Sequence, residues 1–264
     1  MDHAATLALY DRDMREGARP DSPDARVERA GSVVRQIAAE GGWNGVLWSG
    51  LDGLDPADVD AAIAEQIACF SGLVNEFEWK LYGHDRPADL GRRLAAAGFT
   101  PEPQETLMIA ETETQLAAAD TPPEGMRIVP VTDRAGIDLM VEANEKAFGR
   151  DGSWLRERML ARLDIAPDET LAVVALAGDE PVSSARMELI PGTSFAGLWG
   201  GGTAPAWRGR GVYRALVAHR ARIAAGRGYR YLQVDASDQS RPILERLGFA
   251  ALTTTTPYVH RPRS

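Results

Sequence analysis

Positions 203–213 read Thr203-Ala204-Pro205-Ala206-Trp207-Arg208-Gly209-Arg210-Gly211-Val212-Tyr213, with two arginines interleaved with two glycines ahead of a helix-forming run. Such a turn points backbone N–H groups at an anion, glycine lets the anion come close, and guanidinium groups add positive charge. The chemistry is that of a diphosphate cradle. Its candidates are Arg208, Gly209, Arg210, Gly211, Val212 and Tyr213, entered from Gly201, Gly202 and Thr203. A Gly-x-Gly pair alone is a weak signal, since any tight turn into a helix uses glycine. No Gly-Lys-Ser/Thr follows, which removes a Walker loop. A dinucleotide fingerprint needs a third glycine where Arg214 stands and follows the first strand of its unit, so only the spacing of Asp235 favours a nicotinamide nucleotide.

Other reactive side chains are sparse. On the alternating run 181–190, Ser184, Arg186 and Glu188 share one face and Ala185, Met187 and Leu189 the other. Glu188 is the candidate general base. Cys69 is the single cysteine, which rules out an internal disulfide and a multi-thiolate metal site. It reads as a small buried residue. His84 reads as part of a helix entry and His219 as a packing residue on the loop helix. Neither has neighbours at ligand spacing, and no metal is expected.

The elements that position these residues follow from periodicity and turn chemistry. Small residues and a Pro-Pro pair at 117–125 divide the chain into 1–120 and 126–264. In the first part strands are predicted at 33–37, 45–48, 76–82 and 105–110, with helices at 56–70 and 85–97. In the second, strand 127–131 leads to helices 133–148 and 153–163, then strands 171–177, 181–190 and 195–203. Helix 209–225, strand 230–234, helix 239–247 and strand 251–259 complete it. A Gly178-Asp179 turn joins two of these strands as a hairpin. The two halves also echo each other. Glu76–Leu81, then Arg86-Pro87, Leu90, Leu94 and Gly98-Phe99, runs like Tyr229–Val234, then Arg241-Pro242, Leu244 and Gly248-Phe249.

The element order from about 126 to 259, with Arg208-Gly209-Arg210-Gly211, resembles the GNAT superfamily of acyl-CoA-dependent N-acyltransferases. The resemblance implies a mixed α/β fold with a mostly antiparallel sheet flanked by helices. It also implies acetyl-CoA as acyl donor and a primary amine, small molecule or peptide, as acceptor attacking directly. The family's loop, Arg/Gln-x-x-Gly-x-Gly/Ala, is met by Arg208 and Gly211, while Tyr213 departs from the small last residue. The echo implies that the first half is a degenerate copy without the loop, so the protein would be a tandem. In the family a tyrosine four residues before Gly-Phe often returns the proton to the leaving thiolate; here Leu244 stands there, and Ser237 replaces the asparagine seen near the start of the same helix. Tyr258, Tyr213 or solvent is left to supply the proton, with Tyr258 named as catalytic and Ser237 kept in the cofactor set. Acceptor recognition is expected around Asn144, Phe148, Trp154 and Pro191-Gly192. The alternative is a protein that binds acyl-CoA without turnover.

The bulk numbers agree with a folded globular protein. The chain has 264 residues, 44% hydrophobic and 25% charged, which suits globular domains rather than disorder. Its net charge of −9 has the wrong sign for nucleic acid or anionic lipid. No run reaches ~18 apolar residues and the amino terminus has no basic region, so no membrane association and a cytoplasmic location are expected.

Overall fold

The computed structural model describes residues 1–22, 24–39, 42–116 and 122–261. Most of the interruption read at 117–125 lies outside them. The elements in chain order are α1 (His3–Tyr10, continued by a π-helical turn Asp11–Glu16), β1 (Arg26–Ala30), β2 (Val33–Ile37), β3 (Gly45–Ser49), α2 (Pro56–Phe70) and β4 (Phe77–Tyr82). Then come α3 (Leu90–Ala96), β5 (Thr100–Pro101), β6 (Glu105–Glu111), α4 (Thr112–Leu116), β7 (Met126–Pro130), α5 (Arg134–Phe148) and α6 (Ser153–Ile165). The last are β8 (Thr170–Ala177), β9 (Glu180–Leu189), β10 (Phe195–Thr203), a 3-10 turn Pro205–Trp207, α7 (Val212–Gly226), β11 (Tyr231–Ala236), α8 (Arg241–Arg246) and β12 (Ala250–His260). Among the described residues no helix is long and apolar enough to cross a membrane.

Packing divides the chain into two compact units, neither of them one continuous stretch. The first is Met1–Met108, Asp235–Pro242 and Ala251–Ser264; the second is Ile109–Val234 and Ile243–Ala250. The strand order of the first is β1-β2-β3-β4-β12, with β5 also on β12. Its last strand therefore comes from the far end of the chain, with Thr255–His260 antiparallel to Phe77–Tyr82. The order of the second is β11-β10-β9-β8-β7. Pairing is antiparallel except for β3 with β4 and β10 with β11, each joined by a crossover helix of 15 residues, α2 or α7. The mixed, mostly antiparallel sheet flanked by helices is the architecture expected from the sequence.

The echo between the halves has a structural counterpart. After each crossover a short helix ends on a glycine in the left-handed region, Gly98 at φ +98° and Gly248 at φ +87°. Phe99 N–H donates to Leu94 O at 3.0 Å, and Phe249 N–H to Leu244 O at 3.0 Å. These are the same Schellman cap, which only glycine enters without strain. Leu94 and Leu244 are both fully buried.

In the first unit Trp79, Phe77, Val46, Leu94 and Phe99 form a core with Val59, Ile63 and Phe70 of α2, and Cys69 packs at its edge. Full burial of side chains of this size contributes about 1.5–3 kcal/mol each. The sequence reading missed α1 and β1. Helix α1 is capped by Asp2, which accepts from Ala5 N–H, and it is too weakly amphipathic to be read from periodicity. The turn after it is fixed by Arg15, which is bidentate to Asp85 at 2.8 Å and lies 3.7 Å over the Tyr82 ring. His84 belongs to this structural network, bonded to Asp11 at 2.8 Å and Thr253 at 3.1 Å.

Candidate functional site

In the second unit β8 and β9 form the hairpin that Gly178-Asp179 predicts, with Ala177 opposite Glu180 and Gly178 at φ +61°. Ser184, Arg186 and Glu188 of β9 face Val174, Ala172 and Thr170 of β8 and Gly202, Trp199 and Gly197 of β10. Residues opposite one another share a face. On this face Ala172 and Val174 pack with Ile137 and Met140 of α5 and Leu155 and Met159 of α6. The other face carries Val173, Ala175, Val182 and Ala185 against Val212 and Leu216 of α7. Val212, read as part of the cradle, is thus the apolar anchor of its helix.

Strands β10 and β11 pair in parallel over three rungs only, Phe195 with Tyr231, Ala196 with Leu232 and Gly197 with Gln233. Beyond Gly197 they part, although β10 continues to Thr203 and β11 to Ala236. The last rung is crowded: a Cβ on Gly197 would lie 2.8 Å from both Gln233 Nε2 and Trp199 Nε1. Glu188 sits directly across from this glycine.

Past the rung β10 bulges. Trp199 pairs with Arg186 and Gly202 with Ser184, so Gly200 and Gly201 together oppose Ala185. Gly200, at φ +57°, supplies the backbone conformation that such a bulge demands. A bulge interrupts the ladder and re-aims the backbone groups of its strand. Here the Arg186 carbonyl accepts from Arg220 Nη1 at 2.8 Å, while Arg220 Nε donates to Leu216 O at 3.1 Å. Arg220 is 1% exposed, and burial lowers its pKa to about 10. Its part in holding the bulge was not read from the sequence, where it is one arginine among several on an amphipathic helix.

Gly201 and Gly202 are glycines because the protein's own rings approach them. A Cβ on Gly201 would lie 2.8 Å from Tyr213 Cε2, and one on Gly202 would lie 2.6 Å from Phe148 Cε2. Tyr213, the departure from a small residue, is accommodated by the missing side chain of Gly201, and burial pushes its phenol pKa up. Thr203 Oγ1 meets Ser183 Oγ at 2.9 Å.

Arg208 ties the turn to its supports: Nε donates to Thr203 O at 3.0 Å and Nη2 to Ala147 O at 2.9 Å. Arg210 lies 4.7 Å over the Trp207 ring. Gly209 at φ +75° has nothing within 4 Å of where a Cβ would be, and Gly211 at φ +84° has Arg214 Nη2 at 3.5 Å. Gly211 is the N-cap of α7, and no side chain caps this end. The first N–H groups of a helix have no intrahelical partner. The positive end of α7, two open glycines and the Arg210 and Arg214 guanidiniums form a cradle of the right sign for a diphosphate. Arg214 is a member the sequence reading did not name.

The corresponding crossover of the first unit is built differently. Helix α2 opens with Pro56, which has no N–H, and Asp52, Asp55 and Asp58 stand about its start. That end repels an anion.

The remaining candidates fall elsewhere. Ser237 is in the first unit, where its hydroxyl accepts from Ser240 N–H at 3.4 Å at the start of α8. Tyr258 is in the same unit, opposite Trp79 and beside Gly91. Asp235, the acid on which a dinucleotide reading rested, is ion-paired with Lys80. His219 is half-buried, with its pKa lowered by burial. Among the described residues no cluster of His, Cys, Asp or Glu could hold a metal ion.

Fold and site together define a mixed-sheet α/β protein with two β-helix-β crossovers, one opening on a basic, uncapped helix start. Residues 137–249 match the family described as Acetyltransferase (GNAT) family. Solved structures share the fold over almost the whole length. A GCN5-related N-acetyltransferase from Kribbella flavida has a TM-score of 0.70 at 20% identity, covering 99% of this chain and 95% of that one. A tandem GNAT protein from the clavulanic acid biosynthesis pathway has a TM-score of 0.62 at 12% identity, covering 100% and 97%. A GNAT-family acetyltransferase from Colwellia psychrerythraea has 0.60 at 12%, covering 98% and 96%. No curated protein sequence matches the chain. The family match supports acyl transfer in general.

Proposed function

We propose that the chain transfers an acetyl group from acetyl-CoA to a primary amine. The observation that carries this reading is the parting of β10 and β11 after Gly197, in the unit whose α7 opens on the basic glycine turn. The start of α7, Gly209, Gly211, Arg210 and Arg214 would hold the diphosphate. The unpaired part of β10, through the bulge and Thr203, would offer backbone groups to the pantetheine arm and a backbone N–H to an oxyanion. Bound acetyl-CoA supplies an activated thioester carbonyl.

Glu188 takes the role of base. It lies on the face of the parting strands, its side chain is 23% exposed, and its nearest cation is Arg158 at 4.0 Å. A carboxylate so placed takes the ammonium proton of the acceptor directly or through water. The proton returned to the thiolate is assigned to solvent, because Leu244 at the family's tyrosine position has no proton to give. That same residue favours the second reading, acyl-CoA binding without turnover.

Calorimetric titration with acetyl-CoA tests the proposal, using the wild type, Arg208→Ala/Gly211→Glu, and Arg210→Glu/Arg214→Glu. The last pair reverses charge without touching a glycine. Binding lost at least tenfold in both variants, with melting curves showing them folded, is the expected result. Absence of acetyl-CoA binding by the folded wild type would overturn it. Binding with no acetyl transfer to any amine selects the second reading.

A further inference from the structure

Arg186 has no use in the scheme above. It stands two residues before Glu188 on the same face of β9 and is 9% exposed, and its Nε is buried with no hydrogen-bond partner among the described residues. Stranding a guanidinium in this way costs stability, and a buried cation is normally paired or hydrogen-bonded. Its neighbours do not neutralise it. Trp154, Arg158 and Arg162 recur every four residues along one stripe of α6. The Trp154 ring lies 5.9 Å from the Arg186 guanidinium, and Arg158 and Arg162 act on it as like charges against the opposite charge of Glu188. Glu188 in turn has Arg158 at 4.0 Å. Thr170 Oγ1 and Gln233 Oε1 on this face are also buried without partners.

We propose that Arg186, backed by Arg158, binds an anionic group of the acceptor, so that the substrate is an amine carrying a carboxylate or phosphate. This rests on the acetyltransferase reading for the fate of the amine, and the anion site itself is independent of turnover. The geometry supports one ligand with two ends. Positions i and i+2 of a strand are about 6.6–6.8 Å apart, so one molecule can present its anion to Arg186 and its amine to Glu188. A guanidinium fork suits a planar or tetrahedral oxyanion, and a ligand there satisfies donors that are otherwise stranded. The overall acidity of the chain argues for a cationic amine only at long range, where salt screens it.

The test compares wild type, Arg186→Met and Arg186→Lys. Acetyl transfer is followed for each common α-amino acid against its decarboxylated amine, and for phosphoethanolamine against ethanolamine. The same compounds are titrated by thermal shift without acetyl-CoA. Expected is a wild-type preference of at least tenfold in KM for the anionic member of a pair, lost in Arg186→Met and partly kept in Arg186→Lys. Which arm shows the preference identifies carboxylate or phosphate. Arg186→Met should melt at the wild-type temperature or higher, since replacing an unpaired buried charge by an apolar chain of similar length relieves desolvation; an arginine kept for structure alone would melt lower. Anion-dependent stabilisation of wild type but not of Arg186→Met, without turnover, would uphold the anion site and sink the catalytic reading. Equal treatment of both members of every pair in transfer and thermal shift would overturn the proposal.

Discussion

Glu188 and Arg186 show how much a single strand position decides. Both are charged residues on the alternating run that forms β9, and the register places Glu188 opposite Gly197, the last rung before β10 and β11 part. A base there acts only on an acceptor proton, so Glu188→Gln should lower kcat by roughly 10²-fold. Affinity for acetyl-CoA should change less than twofold, because the proposed diphosphate cradle lies at the start of α7. Steady-state kinetics paired with calorimetry check this, and equal losses in both would remove Glu188 from the role of base. The strand face of Glu188 was readable from the sequence because strand alternation is a local property. The isolation of Arg186 was not, since it depends on which side chains α6 brings to the face.

At the scale of elements, the fit of α7 to β10 rests on an exchange of sizes, with Tyr213 large where Gly201 has no side chain. Gly201→Val should cost about 1–3 kcal/mol through overpacking against the ring. The double variant Gly201→Val/Tyr213→Ala should recover most of that cost, giving a coupling energy of about 1 kcal/mol or more in a denaturation cycle. Additive losses would mean that the ring and the glycine do not meet. The sequence marks Tyr213 only as a departure from a small residue, and its compensation appears once strand and helix are packed. Arg220 is similar: a buried arginine serving a carbonyl at a bulge leaves no pattern on a helix otherwise rich in alanine and arginine.

For the whole molecule, the last strand belongs with the first unit. Six consecutive residues of β12, from Thr255 to His260, pair with β4. Deleting 250–264 should therefore destabilise the amino-terminal unit by several kcal/mol through lost pairing and exposure of the Trp79 side of its core. Hydrogen exchange would show this as faster exchange in β3 and β4 than in β8 and β9; a uniform change would contradict the division. The sequence by itself determined the elements with strong local signals. Strand β2 and helix α2 begin and end where periodicity and the Asp55-Pro56 start place them, and the Gly178-Asp179 hairpin, the glycine turn and the paired Gly-Phe endings follow from backbone preferences of single residues. Tertiary structure alone decided the partner of β12, the support of Arg220 for the Arg186 carbonyl and the stranding of Arg186. These depend on contacts between residues far apart in the chain, and local propensity carries no information about them.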